Sequence, residues 1–452
     1  MLQNTIAKRV YVETYGCQMN VSDGELMEGI LAARGYTIVE NPEEADVVLV
    51  NTCAIREHAE RRVLGRVSQL NGLKRENPDL VIGVTGCMAQ RMGDDLLEKA
   101  PFVDLVMGPD SYRSLPQAIR GLDDKPQERK QLAVLAFHSE ENYKGLEQRR
   151  SEGPSAWLPI QRGCNHRCTF CIVPYVRGPE KNRGPRDIVE EVRGLVKDGV
   201  SEVTLLGQTV NSYSSEGIDF PDLLREVARV HGIRRVRFTS PHPIDVTPRL
   251  VEVMAAEDAV CEQLHLPAQS GNNRTLRRML RRYTVEQLLE KIEMVRDAIP
   301  DIALSTDIIV AFPGETEDEF QDTLELMHTV RFDDAFTYKY SLREGTPATR
   351  LPEEDFISPD EAQARLEQLI DVSRRIQAEI NQDEVGRIEE VLIEKCGRHK
   401  GQLLGRTRRN KVVVFDGDPT LIGEYRRIQL ERTTGATFIG AERLGSVGAV
   451  RV

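Results

Sequence analysis

Three apolar runs in the first ninety residues alternate with helical segments, and each run ends at a cysteine. The runs are RVYVETYGC, ADVVLVNTC and DLVIGVTGC, which end at Cys17, Cys53 and Cys87. The segments after them space their apolar residues three and four apart, as amphipathic helices do. After the first run, SDGE predicts a capping box in which Ser22 is the N-cap and Glu25 its partner. Apolar strands that alternate with helices predict a parallel sheet covered on both faces.

The same pattern predicts where the cysteines lie. In a parallel α/β sheet, the loops beyond the C-terminal ends of the strands form the ligand crevice. We therefore expect Cys17, Cys53 and Cys87 to converge, although they are distant in sequence. A lone cysteine is commonly a small buried apolar residue. Three cysteines at the same topological position favour a metal site with three thiolates instead.

Six further candidate strands follow from about residue 155, and helical segments such as DIVEEVRGLVKDG separate them. The strands are AWLPIQ, EVTLLG, RVRFTS, EQLHLP, ALSTDIIVAF and AFTYKYS. Six such units predict a barrel or part of one, with its chemistry at the C-terminal ends of the strands. The motif GCNHRCTFC follows the first strand, at that end.

The last part of the chain changes to short β-like runs with frequent glycines, after a long helical segment that we expect to be a connector. The runs are IEEVLIEK, GQLLGRT, KVVVFDG, GEYRRIQLERT, GATFIGA and GSVGAVRV. They predict a small β-barrel. Its basic residues favour a face that contacts phosphate over a plain solvated surface; they are Arg406, Arg408, Arg409, Lys411, Arg426 and Arg427.

A second basic group, in NRTLRRMLRRY, is helical by spacing and either faces RNA or covers the barrel exterior. It comprises Arg274, Arg277, Arg278, Arg281 and Arg282.

Composition narrows the class of protein. The 452 residues suggest about three domains, and the formal charge of −12 argues against a protein that coats nucleic acid through its overall field. No apolar segment approaches the roughly 20 residues of a membrane helix, and the first residues lack a secretory signal. We therefore expect a cytosolic protein. Eight cysteines in a reducing compartment favour metal or redox chemistry over disulfides.

The motif GCNHRCTFC places Cys164, Cys168 and Cys171 close together. A structural zinc site typically has four protein ligands, and no second cysteine pair follows at a suitable spacing. His166 could serve as the fourth ligand, but its place inside the short loop from Cys164 to Cys168 makes tetrahedral closure awkward. A [4Fe-4S] cluster on three thiolates instead leaves one iron open to a small molecule. The spacing, with Phe170 before the last cysteine, resembles that of the radical S-adenosylmethionine (SAM) enzymes. The resemblance implies that the open iron binds SAM and that an electron from the cluster cleaves it to a 5′-deoxyadenosyl radical.

Polar residues at the other strand ends are candidate SAM contacts. Each of these residues could instead be a turn or helix-cap residue. Their shared location at the strand ends favours a common role in binding SAM. They are Gln208, Asn211, Gln269, Ser270, Asp307, Gly314 and Glu315.

Further motifs are more specific than the superfamily. These are TYGCQMN, NTCAIRE, GCMAQR, RGCNHRCTFCIVPYVRG, LLGQTVN, FTSPHP, HLPAQSGN and FPGETEDEF, and together they resemble the methylthiotransferases, in the branch that modifies isopentenyl-adenosine in tRNA. The resemblance implies an α/β chain of three domains: an N-terminal parallel α/β domain (1–125), a radical SAM partial (β/α) barrel (150–380) and a small RNA-binding β-barrel of the TRAM type (383–450). It also implies an auxiliary [4Fe-4S] cluster on Cys17, Cys53 and Cys87, and a SAM cluster on the motif cysteines.

Three positions depart from the family pattern. The family commonly has Gly at Ala311, Asn at Thr209 and Pro at Glu344. None of the three removes a cluster ligand.

The implied reaction places a methylthio group on carbon-2 of the adenine. One SAM methylates a sulfur on the auxiliary cluster, and a second yields the radical that activates the carbon. The implied partners are tRNA carrying isopentenyl-adenosine, an electron donor such as flavodoxin or ferredoxin, and iron–sulfur and sulfur delivery proteins, with no membrane. Two alternatives stay open: a sister methylthiotransferase acting on threonylcarbamoyl-adenosine or a ribosomal-protein aspartate, and a non-catalytic iron–sulfur sensor that binds RNA.

Overall fold

The structure, a computed structural model, describes residues 8–54, 57–123, 131–138, 140–150 and 153–443. Within the N-terminal domain a parallel sheet has the strand order β2-β1-β3-β4-β5-β6. Its strands are β1 (Arg9–Tyr15), β2 (Thr37–Ile38), β3 (Val47–Thr52), β4 (Val81–Gly86), β5 (Leu105–Met107) and β6 (Leu132–Val134). Its helices are α1 (Gln18–Ala32), α2 (Glu57–Leu70), α3 (Cys87–Met92), α4 (Asp94–Lys99) and α5 (Leu115–Asp123). Apolar layers cover both faces, which confirms the predicted parallel sheet.

The first helix begins earlier than its sequence indicated. Helix α1 starts at Gln18 with Cys17 as its N-cap, so Ser22 and Glu25 lie inside it and the predicted capping box is wrong. The chain enters the helix directly after β1, because Gly16 allows a close approach to the next strand end. A Cβ added at Gly16 would lie 2.8 Å from the Cβ of Cys53.

The second domain is an open barrel of six parallel strands around one apolar core. Two three-stranded sheets, β13-β10-β7 and β14-β15-β16, meet through a parallel bridge between Val236 and Val260. The six strands are β7 (Ser155–Pro159), β10 (Glu202–Leu206), β13 (Arg235–Phe238), β14 (Gln263–His265), β15 (Ala303–Val310) and β16 (Asp334–Lys339). Short strands β8 (Gln161–Arg162), β9 (Lys181–Asn182), β11 (Ser214–Ser215) and β12 (Ile218–Asp219) lie in the loops. The helices are α6 (Val173–Arg177), α7 (Pro185–Lys197), α8 (Phe220–Ala228), α9 (Pro248–Ala256), α10 (Asn273–Arg278), α11 (Val285–Ala298) and α12 (Glu317–Val330).

A closed five-stranded barrel ends the described chain. Its strands alternate buried and exposed residues, and are β17 (Ile388–Cys396), β18 (Gln402–Thr407), β19 (Val412–Asp416), β20 (Tyr425–Thr433) and β21 (Thr437–Glu442). The final predicted run, 445–452, and residues 55–56 of the NTCAIRE motif lie outside the described residues. Of the helices in the described ranges, none combines the length and hydropathy that a bilayer span requires.

The predicted connector packs instead of spanning open space. Helix α13 (Pro359–Asp383) lies against β16 and α12 of the open barrel, and Leu369 and Ile376 are buried in its core. The small barrel is thereby held close to the open barrel. Direct contacts between the two barrels, in addition to helix α13, hold the small barrel in place.

Basic residues form much of the junction between the two barrels. Arg408 pairs with Glu262 at 2.8 Å, and Lys411 pairs with Asp333 at 2.7 Å. Of the remaining residues predicted to face phosphate, Arg406, Arg409 and Arg426 are also in ion pairs, and Arg427 is exposed. The small barrel therefore uses most of this group to bind its own chain.

Arg235 contributes a buried clamp to this junction. Its side chain is fully buried and donates hydrogen bonds to the carbonyl oxygens of Arg406 (2.8 Å) and Glu390 (2.7 Å). We expect Arg235→Met to destabilise the junction by about 3 kcal/mol, because it removes two buried, charge-assisted hydrogen bonds and leaves the carbonyl oxygens of Arg406 and Glu390 without this donor.

Arg234→Met is the matched control, because Arg234 pairs with Glu390 at 2.8 Å but is half exposed. Surface pairs of this kind contribute under about 1 kcal/mol. Hydrogen–deuterium exchange across β17 and β20 measures the difference. Equal exchange in the two variants would contradict the assigned role of Arg235.

Candidate functional site

Cys17, Cys53 and Cys87, named here the N-terminal triad, follow β1, β3 and β4 as the sequence predicted. These strands are adjacent in the sheet and parallel, so their ends meet at one edge. A hydrogen bond with Cys53 lowers the pKa of Cys17 to about 6, which places those two thiols in contact. Cys87 is near enough to Cys17 for the two charges to interact. The structure therefore brings the three thiols together.

The N-terminal triad is surrounded by polar side chains that the sequence did not single out. The Cys17 thiol donates to Asn20 Oδ1 at 3.4 Å, and Arg177 Nε donates to Cys87 Sγ at 3.1 Å. Asp23, fully buried, accepts from Arg177 Nη2 at 2.7 Å and from Arg162. Both arginines come from the open barrel, so two domains build this site.

Cys164, Cys168 and Cys171, named here the motif triad, follow β8 at the mouth of the open barrel. Cys164 Sγ lies 3.3 Å from Thr209 Oγ1, at a position where the family commonly has Asn. Arg281 Nη1 donates to Cys168 Sγ at 3.5 Å. Burial raises the pKa of Cys171 to about 12, and the neighbouring Cys168 adds to that rise. The Cys171 thiol is therefore held neutral until a metal replaces its proton.

The donor sets of the two triads suit a cluster better than a single zinc ion. A tetrahedral zinc with bonds of about 2.3 Å holds its sulfurs within about 4 Å of one another. Among the described residues, the only three ligating side chains with donor atoms all within 4.8 Å of one another are His166, His242 and Asp245. Neither thiol triad forms such a group, and each offers three thiolates, which is the donor set of a [4Fe-4S] cluster with one open iron.

His166 and His242 stack as parallel rings, with centroids 4.1 Å apart and an interplanar angle of 7°. Parallel rings do not direct their lone pairs at one ion. Burial lowers the pKa of His242 to about 2, with Arg281 adding to the effect. His242 is therefore held neutral in a stacked pair beside the motif triad.

The two triads border one interface. Cys87 and Ala54, which follows Cys53, pack in one apolar group with Ile172 and Val176, which follow Cys171. Helix α3 begins at Cys87 and packs against α6, which begins two residues after Cys171. Cofactors on the two triads would face each other across this contact.

Three of the predicted SAM contacts have a buried oxygen without a hydrogen-bond partner among the described residues: Gln208, Gln269 and Glu315, whose other carboxylate oxygen is paired with Arg365. The Oε1 atoms of Gln208 and Gln269 are buried without hydrogen-bond partners. Gln208 adjoins Thr209, which touches Cys164. Gln269 lies two residues after Pro267, whose carbonyl oxygen accepts from Arg281 at 3.1 Å. Since buried amides normally have partners, these two oxygens fit a ligand beside the motif triad.

Asn211 and Ser270 are instead occupied within the chain. Asn211 exchanges two hydrogen bonds with the backbone of His242, at 2.9 and 2.7 Å. The Ser270 hydroxyl accepts from Asn272 N–H at 3.2 Å and lies 3.4 Å from Thr323 Oγ1. Both residues fix the loops that carry the candidate contacts.

Asp307 and Gly314 also have local roles. Asp307 Oδ2 lies 3.2 Å from His265 Nε2, in a half-buried pair. Gly314 has a φ of +77°, and a Cβ there would lie 2.4 Å from Arg278 Nη2. Glycine is needed at position 314 because the backbone is left-handed there and because a side chain would collide with Arg278.

Glu315 is fully buried and accepts from Arg365 Nη1 at 3.0 Å and from Ala311 N–H at 2.6 Å. Burial raises its pKa to about 7 against these hydrogen bonds. Ala311 has a φ of +57°, where the family commonly has Gly. An alanine in this left-handed region costs roughly 1 kcal/mol.

The second predicted basic group is only partly helical. Helix α10 ends at Arg278, and Leu280 has a φ of +55°, so Arg281 and Arg282 lie beyond the helix. Arg281 turns inward to Cys168, whereas Arg277 and Arg282 are exposed and have no ion-pair or hydrogen-bond partner among the described residues. The exposed pair leaves unneutralised positive charge on a segment that packs against the motif loop.

Three family models match the chain. Residues 9–108 match the uncharacterized protein family UPF0004, residues 158–327 match the radical SAM superfamily, and residues 382–440 match the TRAM domain. The three matches coincide with the parallel sheet, the open barrel and the closed barrel.

Curated relatives match across nearly the whole chain. A tRNA-2-methylthio-N(6)-dimethylallyladenosine synthase of Thermoanaerobacter sp. (strain X514) is 46% identical over 95% of this chain and 92% of its own length. The protein of the same name from Carboxydothermus hydrogenoformans is 43% identical over 95% of this chain and 98% of its own. Among solved structures, the radical SAM methyltransferase TsrM from Kitasatospora setae, with cobalamin and a [4Fe-4S] cluster bound, is 15% identical with a TM-score of 0.59, covering 76% of this chain and 77% of its own. That likeness supports the fold.

If each triad holds one cluster, removing the N-terminal triad halves the metal content. We expect the anaerobically reconstituted chain to hold iron and sulfide for two [4Fe-4S] clusters, and the Cys17→Ala, Cys53→Ala, Cys87→Ala variant to hold one, because coordination requires thiolates. Iron and sulfide analysis with Mössbauer spectra measures this. Cys261→Ala, which removes a buried cysteine outside both triads, should keep both clusters. One cluster in both the unaltered chain and the triple variant would make the N-terminal triad a packing feature.

The unused amide oxygen of Gln269 should serve SAM. Gln269→Leu keeps the size but removes the acceptor, and we expect SAM affinity to fall about fivefold, since one hydrogen bond contributes about 1 kcal/mol. Calorimetric titration of SAM into reconstituted protein measures this. Ser270→Ala, whose hydroxyl is already bonded within the chain, should have a much smaller effect. Equal losses in the two variants would show that the unused oxygen does not mark the contact.

Proposed function

The chain belongs to the tRNA-2-methylthio-N(6)-dimethylallyladenosine synthase family, and we propose that it places a methylthio group on carbon-2 of N(6)-isopentenyl-adenosine beside a tRNA anticodon. The observation that carries the proposal is the meeting of two three-thiol sites across α3 and α6. A simple radical SAM enzyme needs only the motif triad. The second triad gives this chain a place to hold sulfur next to the radical site.

We assign the auxiliary [4Fe-4S] cluster to the N-terminal triad and the SAM-binding cluster to the motif triad. When bound, these groups supply the one-electron cleavage of SAM and the sulfur to be transferred. The chain itself orients and encloses them. Gln208 and Gln269 offer acceptors to SAM, and the apolar contact of Ala54, Cys87, Ile172 and Val176 keeps water from the space between the triads.

The substrate base enters from the exposed side of this interface. Bases in an anticodon loop are unstacked easily enough to be drawn into a pocket. Arg277 and Arg282 offer unneutralised cations for the phosphates, since the small barrel's arginines are mostly paired within the chain. The TRAM match supports contact with RNA. A flavodoxin-like or ferredoxin-like donor and sulfur delivery proteins complete the proposed partners, in the cytoplasm, where tRNA is modified.

The proposal is tested by product formation. Reconstituted protein, given SAM, a reductant and tRNA carrying isopentenyl-adenosine, should yield 2-methylthio-N(6)-dimethylallyladenosine and 5′-deoxyadenosine, as measured by mass spectrometry of nuclease digests. The Cys164→Ala variant should give neither, because the motif triad then loses a thiolate ligand.

Matched substrates separate the alternatives. tRNA with unmodified adenosine at the same position, tRNA with threonylcarbamoyl-adenosine, and a ribosomal-protein peptide with the target aspartate should remain unmodified. Methylthiolation of either of the last two in preference to isopentenyl-adenosine would assign the chain to a sister activity. Absence of 5′-deoxyadenosine with every substrate would favour the non-catalytic sensor.

A further inference from the structure

A guanidinium from the open barrel touches a sulfur of the N-terminal triad. Arg177 Nε donates to Cys87 Sγ at 3.1 Å, and its Nη2 donates to Asp23 Oδ2 at 2.7 Å. The side chain is 3% exposed. Its third nitrogen, Nη1, is buried and has no hydrogen-bond partner among the described residues.

An interdomain ion pair explains only part of this geometry. Arg162 also pairs with Asp23, and it is similarly buried, yet it makes no contact with a triad sulfur. Arg177 differs because its Nε donates to the Cys87 sulfur and its Nη1 has no hydrogen-bond partner among the described residues. A buried donor without a partner costs about 1 to 3 kcal/mol, so its retention points to a group that accepts from it.

The position of Arg177 in the chain adds a second connection. It is the last residue of α6, the short helix that starts two residues after Cys171. One short helix therefore connects the motif triad to the Cys87 sulfur. Cys87 and Arg177 are both fully enclosed, so their interaction is little screened by solvent.

We propose that Arg177 is a positioning residue of the auxiliary cluster, which hydrogen-bonds the Cys87 thiolate from the other domain and offers Nη1 to a sulfur of the cluster. This rests on the proposed function, which places the cluster on the N-terminal triad. Hydrogen bonds and positive charge at cluster sulfurs raise the reduction potential, because the reduced cluster is more negative. The radical SAM domain thus sets the electronic state of the cofactor held by its neighbour.

The test observes the auxiliary cluster alone. In the full-length chain, Cys164→Ala, Cys168→Ala and Cys171→Ala remove the other cluster, and Arg177→Gln or Arg162→Gln is added to this background. Redox titration followed by electron paramagnetic resonance gives the midpoint potential, and transfer of iron to a chelator gives the release rate.

We expect Arg177→Gln to lower the midpoint potential and to speed iron release several-fold. Arg162→Gln removes an ion pair with the same Asp23 but no sulfur contact, so it should leave the potential at the background value. Arg177→Lys, which keeps the charge with a single nitrogen, should restore part of the shift. Loss of the cluster from Arg177→Gln but not from Arg162→Gln also supports the assignment.

An unchanged potential in Arg177→Gln would overturn the assignment, and so would equal shifts or equal cluster loss in the Arg177 and Arg162 variants, which would indicate domain docking alone. These outcomes leave the proposed function intact. If the background variant itself holds no cluster, the proposed function fails and takes the role of Arg177 with it.

Discussion

The buried carboxylate of Asp23 holds the functional interface together. It lies in α1 of the N-terminal domain, fully enclosed, and accepts hydrogen bonds from Arg162 and Arg177 of the open barrel. A charge this deeply buried is tolerated only when it is paired and hydrogen-bonded. Separation of the two domains therefore breaks the hydrogen bonds between this carboxylate and both guanidinium groups. That constraint fixes Cys87, beside Arg177, relative to the motif triad.

This docking explains why two chemically similar sites can act together. Each triad sits at the C-terminal ends of parallel strands, where side chains from separate loops meet. Neither sheet alone places one triad near the other. The packing of α3 on α6 does so, through the small and apolar residues Ala54, Cys87, Ile172 and Val176. Proximity of this kind removes the entropic cost of bringing a sulfur source to an activated substrate.

Several basic residues that suggest RNA binding in the sequence are instead paired within the folded chain. Arg408, Arg409 and Lys411 look like a phosphate-binding group in sequence, yet each pairs with a carboxylate of its own chain. Arg281 turns from its basic segment to the sulfur of Cys168. Carboxylates of the same chain already neutralise Arg408, Arg409 and Lys411, so these cations are not free to bind phosphate. Charge patterning counts the cations but does not show which acidic side chains the fold places opposite them.

The sequence by itself determined the three domains, the strand series and the six thiols, because hydrophobic period and cysteine spacing are local properties that each segment carries alone. It also placed Gln208 and Gln269 beyond the C-terminal ends of β10 and β14. It misplaced the start of α1, since the close approach of Gly16 to Cys53 overrode the Ser22 capping signal. Only the tertiary structure decided that Asp23, Arg177 and Arg281 belong to the site. Their roles arise from contacts between residues more than a hundred positions apart, and no local pattern encodes which buried charges will meet.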